Sequence, residues 1–117
     1  MAEDVCEIVV TGSDAEWLSG YTRTLVEERL VACGHQLAAI LSIYRWEGAV
    51  HDESEARVAL HTRRSLVPEV VARTAELHPY DVPSVIALPL VGGNPDYLGW
   101  VVRETREPRS REEGGGA

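Results

Sequence analysis

One thiol, three imidazoles and one carboxylate stand out as side chains with chemistry to offer: Cys33, His35, His61, His78 and Glu55. A soft thiolate beside imidazole nitrogens suits copper or another divalent cation. No two of these histidines fall at HxxxH or HExxH spacing, so a metal site must be assembled across space, from separate elements or separate subunits. An imidazole also exchanges protons near neutral pH, which makes His61 a candidate general acid or base, with Glu55 a candidate carboxylate. Six residues separate the two, about 20 Å of extended chain at about 3.3 Å per residue, so contact between them requires a bulge or a second subunit. Tyr44, Trp46 and Tyr80 are candidate walls of a binding cleft, or equally the large rigid anchors of a subunit interface.

The elements that must position these residues follow from period and punctuation. Glu7 to Thr11 is a β-branched run that stops at Gly12, a first strand. Ser13 and Glu16 are spaced as a capping box. The helix it opens carries Leu18, Tyr21, Leu25, Leu30 and Cys33, with Gly34 as its C-terminal cap. That reading puts Cys33 at the negative end of a helix dipole, which disfavours a thiolate; the alternative to a metal ligand is a helix-end core residue. Residues 36–46 and 55–62 predict two strands around Glu47-Gly48, with 52–54 a polar connection and His51 solvated. In the second of these, Ala56, Val58, Leu60 and Thr62 share one face and Glu55, Arg57, Ala59 and His61 the other. A helix from about Ser65 tolerates Pro68 in its first turn and ends before His78-Pro79, where His78 is either a ligand or a cap on the helix end. Residues 84–91 predict one buried strand, and Asn94-Pro95 launches a third helix.

The resulting order is an α+β, ferredoxin-like βαββαβ sandwich with an extra C-terminal helix. Its helices cover one face of the sheet, and the first hairpin strand, at eleven residues, is overlong. Another copy of the chain is the simplest cover for both, so the expectation is an oligomer. Residues 1–107 are expected to form a single domain, and the charged, then glycine-rich 108–117 a disordered tail.

The formal net charge is -8, and Arg63-Arg64 is the one adjacent basic pair. That field repels nucleic acid and anionic membrane surfaces and favours cations. Every basic residue is Arg, which excludes Schiff-base catalysis on lysine and a Walker-type phosphate lysine. Two cysteines make no disulfide framework, and neither a signal peptide nor an 18-residue apolar run is visible. A cytoplasmic location is expected.

Four segments carry a resemblance. Residues 25–33 (LVEERLVAC), 42–48 (SIYRWEG), 78–83 (HPYDVP) and 93–100 (GNPDYLGW) resemble, in order, the successive motifs of the CutA divalent-cation-tolerance family, within a match from about Val5 to Glu104. The resemblance implies a homotrimer of ferredoxin-like subunits akin to the PII signalling proteins. It also implies tolerance to copper and other divalent cations, metal binding at Cys33, and an intersubunit cleft around Trp46, Glu55 and position 61. Three positions depart from the pattern: His35 stands where Asn is usual, His61 where Lys is usual and Ser84 where Glu is usual. Three readings stand. The first is a trimeric, copper-type cation-binding protein using Cys33 with His35 and His78. The second is an enzyme or small-molecule binder using a cleft of Tyr44, Trp46, Glu55, His61 and Tyr80. The third is a PII-like regulatory trimer. Expected partners are the chain itself and a metal ion or small ligand.

Overall fold

Alternation along Val5–Gly12 (β1) decides the layering: Cys6, Ile8 and Val10 are buried, and Glu7, Val9 and Thr11 face the other way. The structure is a computed structural model and describes residues 3–109; the tail expected over 108–117 lies, from residue 110 on, outside them. The strand Ala49–Arg63 (β3) repeats the pattern, with Ala56, Val58, Leu60 and Thr62 buried. β3 pairs antiparallel with β1 on one edge, Ile8 opposite Leu60, and with Cys33–Trp46 (β2) on the other. β1 in turn pairs with Val85–Pro89 (β4), which gives the order β2-β3-β1-β4. The fold is mixed α+β, a four-stranded antiparallel sheet with three helices. Among the described residues no helix is long and apolar enough to cross a membrane.

Two helices, Ala15–Glu27 (α1) and Val67–Leu77 (α2), the second entered through a short 3-10 turn at Arg64–Leu66, set Leu18, Tyr21, Leu25, Leu66 and Val70 into the buried face of the sheet. Each fully buried Leu there contributes about 1.5–3 kcal/mol. Tyr21 and Thr74 join the two helices inside the core through a 2.6 Å hydrogen bond, and burial pushes the Tyr21 phenol up to about 12. At the rim, Arg73 grips Glu28 with two bonds of 3.0 and 2.7 Å and holds that carboxyl below its usual range.

Several boundaries differ from those expected. The N-cap of α1 is Asp14, whose Oδ1 accepts from the Glu16 amide at 2.9 Å, and not Ser13. The helix stops at Glu27 and does not run to Gly34. Arg29 takes the left-handed conformation (φ 61°), its amide donates to Val26, and the Leu30 amide reaches back to Leu25. This is a Schellman stop with arginine in the place glycine usually holds. Cys33 therefore opens β2 and does not sit at a helix end. Gly34 has another role: a Cβ there would lie 2.6 Å from the Thr22 methyl and 3.0 Å from side chains of Leu60 and Val58. It is the point where α1 presses onto the sheet.

The hairpin strands are longer than expected, at 14 and 15 residues. Residues 52–54, expected as a connection, belong to β3, as does His51, which is exposed as expected and stacks its ring on Tyr44 at 5.5 Å. The turn is Glu47-Gly48, both at positive φ (49° and 80°), as a two-residue hairpin of primed type requires. Only residues 56–63 of β3 pair with β1. Beyond a bulge between Ala38 and Ile40 the hairpin is an arm, with Leu41, Ile43 and Val50 exposed on one of its faces.

The third helix, Pro95–Glu104 (α3), is capped by Asn94, whose Oδ1 accepts from the Asp96 amide at 3.0 Å. It packs Val101 against Val5 and Ala32, apart from the main core.

Gly34→Ala should destabilise the fold by about 1–3 kcal/mol, the usual cost of overpacking. Thr22 cannot turn its methyl away without giving up its 2.9 Å bond to the Leu18 carbonyl. A urea midpoint equal to the parent's would contradict this packing.

Candidate functional site

Strand register brings the reactive groups together. Glu7 is directly opposite His61 across β1–β3, and Cys33 is directly opposite His61 across β3–β2. Residues paired in this way share a face, so three strands present a carboxylate, an imidazole and a thiol in one row. His35, two residues after Cys33, falls on the same side, its ring 5.5 Å from that of His61 at 72°. Tyr97, from the first turn of α3, reaches into the row from above.

The hydrogen bonds form a chain. His61 Nε2 lies 2.9 Å from Glu7 Oε1, and Nδ1 lies 2.5 Å from the Tyr97 hydroxyl. That hydroxyl is 3.1 Å from Cys33 Sγ, itself 3.8 Å from His61 Nδ1. A carboxylate only accepts, so Nε2 carries a proton, and whenever the ring holds only that one, Nδ1 presents a lone pair. The Tyr97 hydroxyl is placed to donate to that lone pair, and it lies against the Cys33 sulfur as well. Burial, with Cys33 and Glu7 nearby, raises the Tyr97 phenol above its ordinary range, so it stays a donor. The His61 side chain is 13% exposed, and His35 is the exposed member of the group.

One ligand atom each from Cys33, His35 and His61 lies within 4.8 Å of the others. One sulfur and two imidazole nitrogens fit copper or zinc. Glu7 behind His61 is the carboxylate–histidine arrangement that fixes the tautomer of a metal-binding imidazole.

His78, the other sequence candidate, sits apart, at the far end of β1. Its Nε2 donates to the Thr11 carbonyl at 2.8 Å, its Nδ1 accepts from the Tyr80 amide at 3.1 Å, and Trp17 packs on its ring. Both nitrogens are committed to backbone. Glu55 accepts from Tyr80 at 3.0 Å, and Tyr44 donates to Glu53 at 2.7 Å, a bond that pushes the Tyr44 phenol up to about 12. Trp46 is at the arm's turn, 48% exposed. Within one chain, then, Tyr44, Glu55 and Tyr80 lie toward the arm while His61 lies at the opposite end of β3. Sequence reasoning missed Glu7 and Tyr97. The available signal was a charged residue inside the apolar run Val5–Val10.

Tyr97 depends on how α3 is held. A helix leaves four carbonyls unpaired at its C-terminus. Here Arg63 donates to the carbonyls of Val102 (2.8 Å) and Thr105 (2.9 Å), and Arg29 to those of Arg103 (2.7 Å) and Glu104 (3.1 Å). Two guanidiniums thus satisfy the whole helix end and meet the negative end of its dipole.

The sequence matches the family model described as CutA1 divalent ion tolerance protein over residues 6–104. The divalent-cation tolerance protein CutA of Thermus thermophilus is 37% identical over 98 residues, covering 84% of this chain and 95% of the relative. Mouse protein CutA is 45% identical over 83 residues, 71% of this chain and 47% of the relative. The chain thus spans about half the length of the mouse and Arabidopsis relatives it matches. Among solved structures, CutA1 from Oryza sativa superposes with a TM-score of 0.87 at 36% identity, over 90% of this chain and 96% of that one. The cation tolerance protein of Thermus thermophilus gives 0.84 at 35%, over 87% and 99%.

Arg63→Ala should cost about 2–4 kcal/mol, because it strips a charged donor from one buried and one part-buried carbonyl, and Arg63→Lys should recover little of it, lacking the planar fork. Amide hydrogen exchange across residues 95–104 should accelerate in both variants. Unchanged protection there would show that α3 is held by its apolar face alone.

Proposed function

The chain belongs to the CutA1 divalent ion tolerance family, and on that premise we propose that it binds a soft or borderline cation, copper foremost, through Cys33, His35 and His61. The observation that carries this reading is the convergence of one sulfur and two imidazole ligand atoms within 4.8 Å. The thiolate and imidazoles would hold the ion, and Glu7 would keep the His61 tautomer with its lone pair forward. The net charge of -8 draws cations toward the surface. His78 has no part in the set. The reading includes a cytoplasmic location, where Cys6 and Cys33 stay reduced thiols, although relatives are described as chloroplastic and, from Archaeoglobus fulgidus, periplasmic.

We also propose that the chain, as a single domain over residues 1–107, forms a homotrimer of ferredoxin-like subunits. Its support is the projecting arm, with Leu41, Ile43 and Val50 each more than 60% exposed, together with Leu37 and Ile86 exposed on the sheet. Apolar area of this extent is uncommon on a monomer.

One observation favours a second reading, catalysis or small-molecule binding: a carboxylate-oriented imidazole stands 3.8 Å from a thiol, the layout of an activated nucleophile. In that case the carboxylate partner of His61 within the chain is Glu7.

Titration of the metal-free protein with Cu(I) and Zn(II) against a chromophoric chelator should give one ion per chain, bound tighter than about 1 μM. Cys33→Ala should abolish it, and Glu7→Gln should weaken it by about 10- to 100-fold. No stoichiometric binding of either ion would remove the first reading and leave the second. Sedimentation should find a trimer, and paired Leu41→Asp and Ile43→Asp substitutions on the arm should shift it toward monomer; an unchanged assembly would clear the arm of that role.

A further inference from the structure

We propose that Tyr97 is the gate of the Cys33–His35–His61 site: its hydroxyl occupies the one lone pair on His61 Nδ1 that an incoming cation needs, so ion entry and release of that hydroxyl are a single event. This rests on the cation-binding reading above. Glu7, which can only accept, takes the Nε2 proton at 2.9 Å, and that leaves Nδ1 as the sole ring atom able to bond an ion. The Tyr97 oxygen is 2.5 Å from Nδ1 and 3.1 Å from Cys33 Sγ, and those two atoms are 3.8 Å apart. An ion bonded at about 2.0 Å to an imidazole nitrogen and about 2.3 Å to a thiolate takes the region between them. One lone pair cannot serve the phenol hydrogen and the metal together. As the ion enters, Cys33 gives its thiol proton to bulk water, sulfur bonds the metal, and Tyr97 lets go.

The mounting of Tyr97 suits such a release. It lies in the first turn of α3, whose opposite end is fastened by Arg29 and Arg63. Its ring stacks on Trp100, with centroids 5.7 Å apart and planes at 29°. Motion of the ring therefore changes the surroundings of an indole one turn further along the helix. The gate also sorts ions: a hard cation with little affinity for sulfur and nitrogen gains too little there to displace the hydroxyl, whereas a soft or borderline one does.

Tyr97→Phe keeps the stacked ring and removes only the competing hydroxyl, so it should bind Zn(II) about 3- to 10-fold tighter than wild type in chelator competition. In wild-type protein labelled with 5-fluorotryptophan, zinc saturation should move the 19F resonance of Trp100, assigned with Trp100→Phe, and leave that of Trp17 in place. Tighter binding by the variant together with that shift supports the gate. Wild-type binding with Tyr97→Phe equal to it or weaker overturns the gate and leaves the cation site standing, weaker binding marking Tyr97 as a ligand. If neither protein binds Zn(II) or Cu(I), the cation site falls and the gate falls with it.

Discussion

Pairing of β3 on both edges is the constraint on which the rest of this protein depends. Its even-numbered residues from Ala56 to Thr62 build the core, and His61, on the other face, faces Glu7 on one side and Cys33 on the other. A slip of one residue against either neighbour would turn every side chain to the wrong face. The core would receive His61 and lose Leu60, and the row of carboxylate, imidazole and thiol would be broken. Burial of Leu60 and Val58 and the alignment of the site are therefore one event. The hydrophobic term, at about 1.5–3 kcal/mol per large side chain, is what holds the polar row in register.

A second constraint acts through α3. The helix is short, ten residues, and rests on a small satellite cluster around Val5, Ala32 and Val101. A helix of that length has little stability of its own. Its docking relies on the two arginines that close its carbonyl end, and through that docking Tyr97 reaches Cys33 and His61. The site is thus assembled from sequence positions as distant as Glu7 and Tyr97, which no local motif could link.

That distance explains what the sequence made legible. Alternation in residues 55–62, the Glu47-Gly48 turn and the Asn94-Pro95 helix start are local signals, and they read correctly. The end of α1 was hidden because a non-glycine residue, Arg29, takes the left-handed turn, and the helical stripe continues by coincidence through Leu30 to Cys33. Gly34 then looked like the missing cap, although its lack of a side chain is needed for the approach of Thr22. Cys33, His35 and His61 could be named from residue type. Glu7 and Tyr97 could not, since their relevance exists only in the strand register and the docked helix. Glu55 is a candidate carboxylate by residue type and by family likeness, yet within the chain its carboxylate accepts from Tyr80.

Arg29 shows what happens when one position answers to two demands. Its backbone would be easier as glycine, by about 1 kcal/mol for a residue at φ 61°. Its side chain supplies two of the four bonds that close α3, each a charged donor on a carbonyl. Anyone optimising the loop by replacing it with glycine, the usual stabilising choice for such a turn, would improve one helix end and undo another some 75 residues away. One residue thus serves two helix ends, by its backbone at the close of α1 and by its side chain at the close of α3.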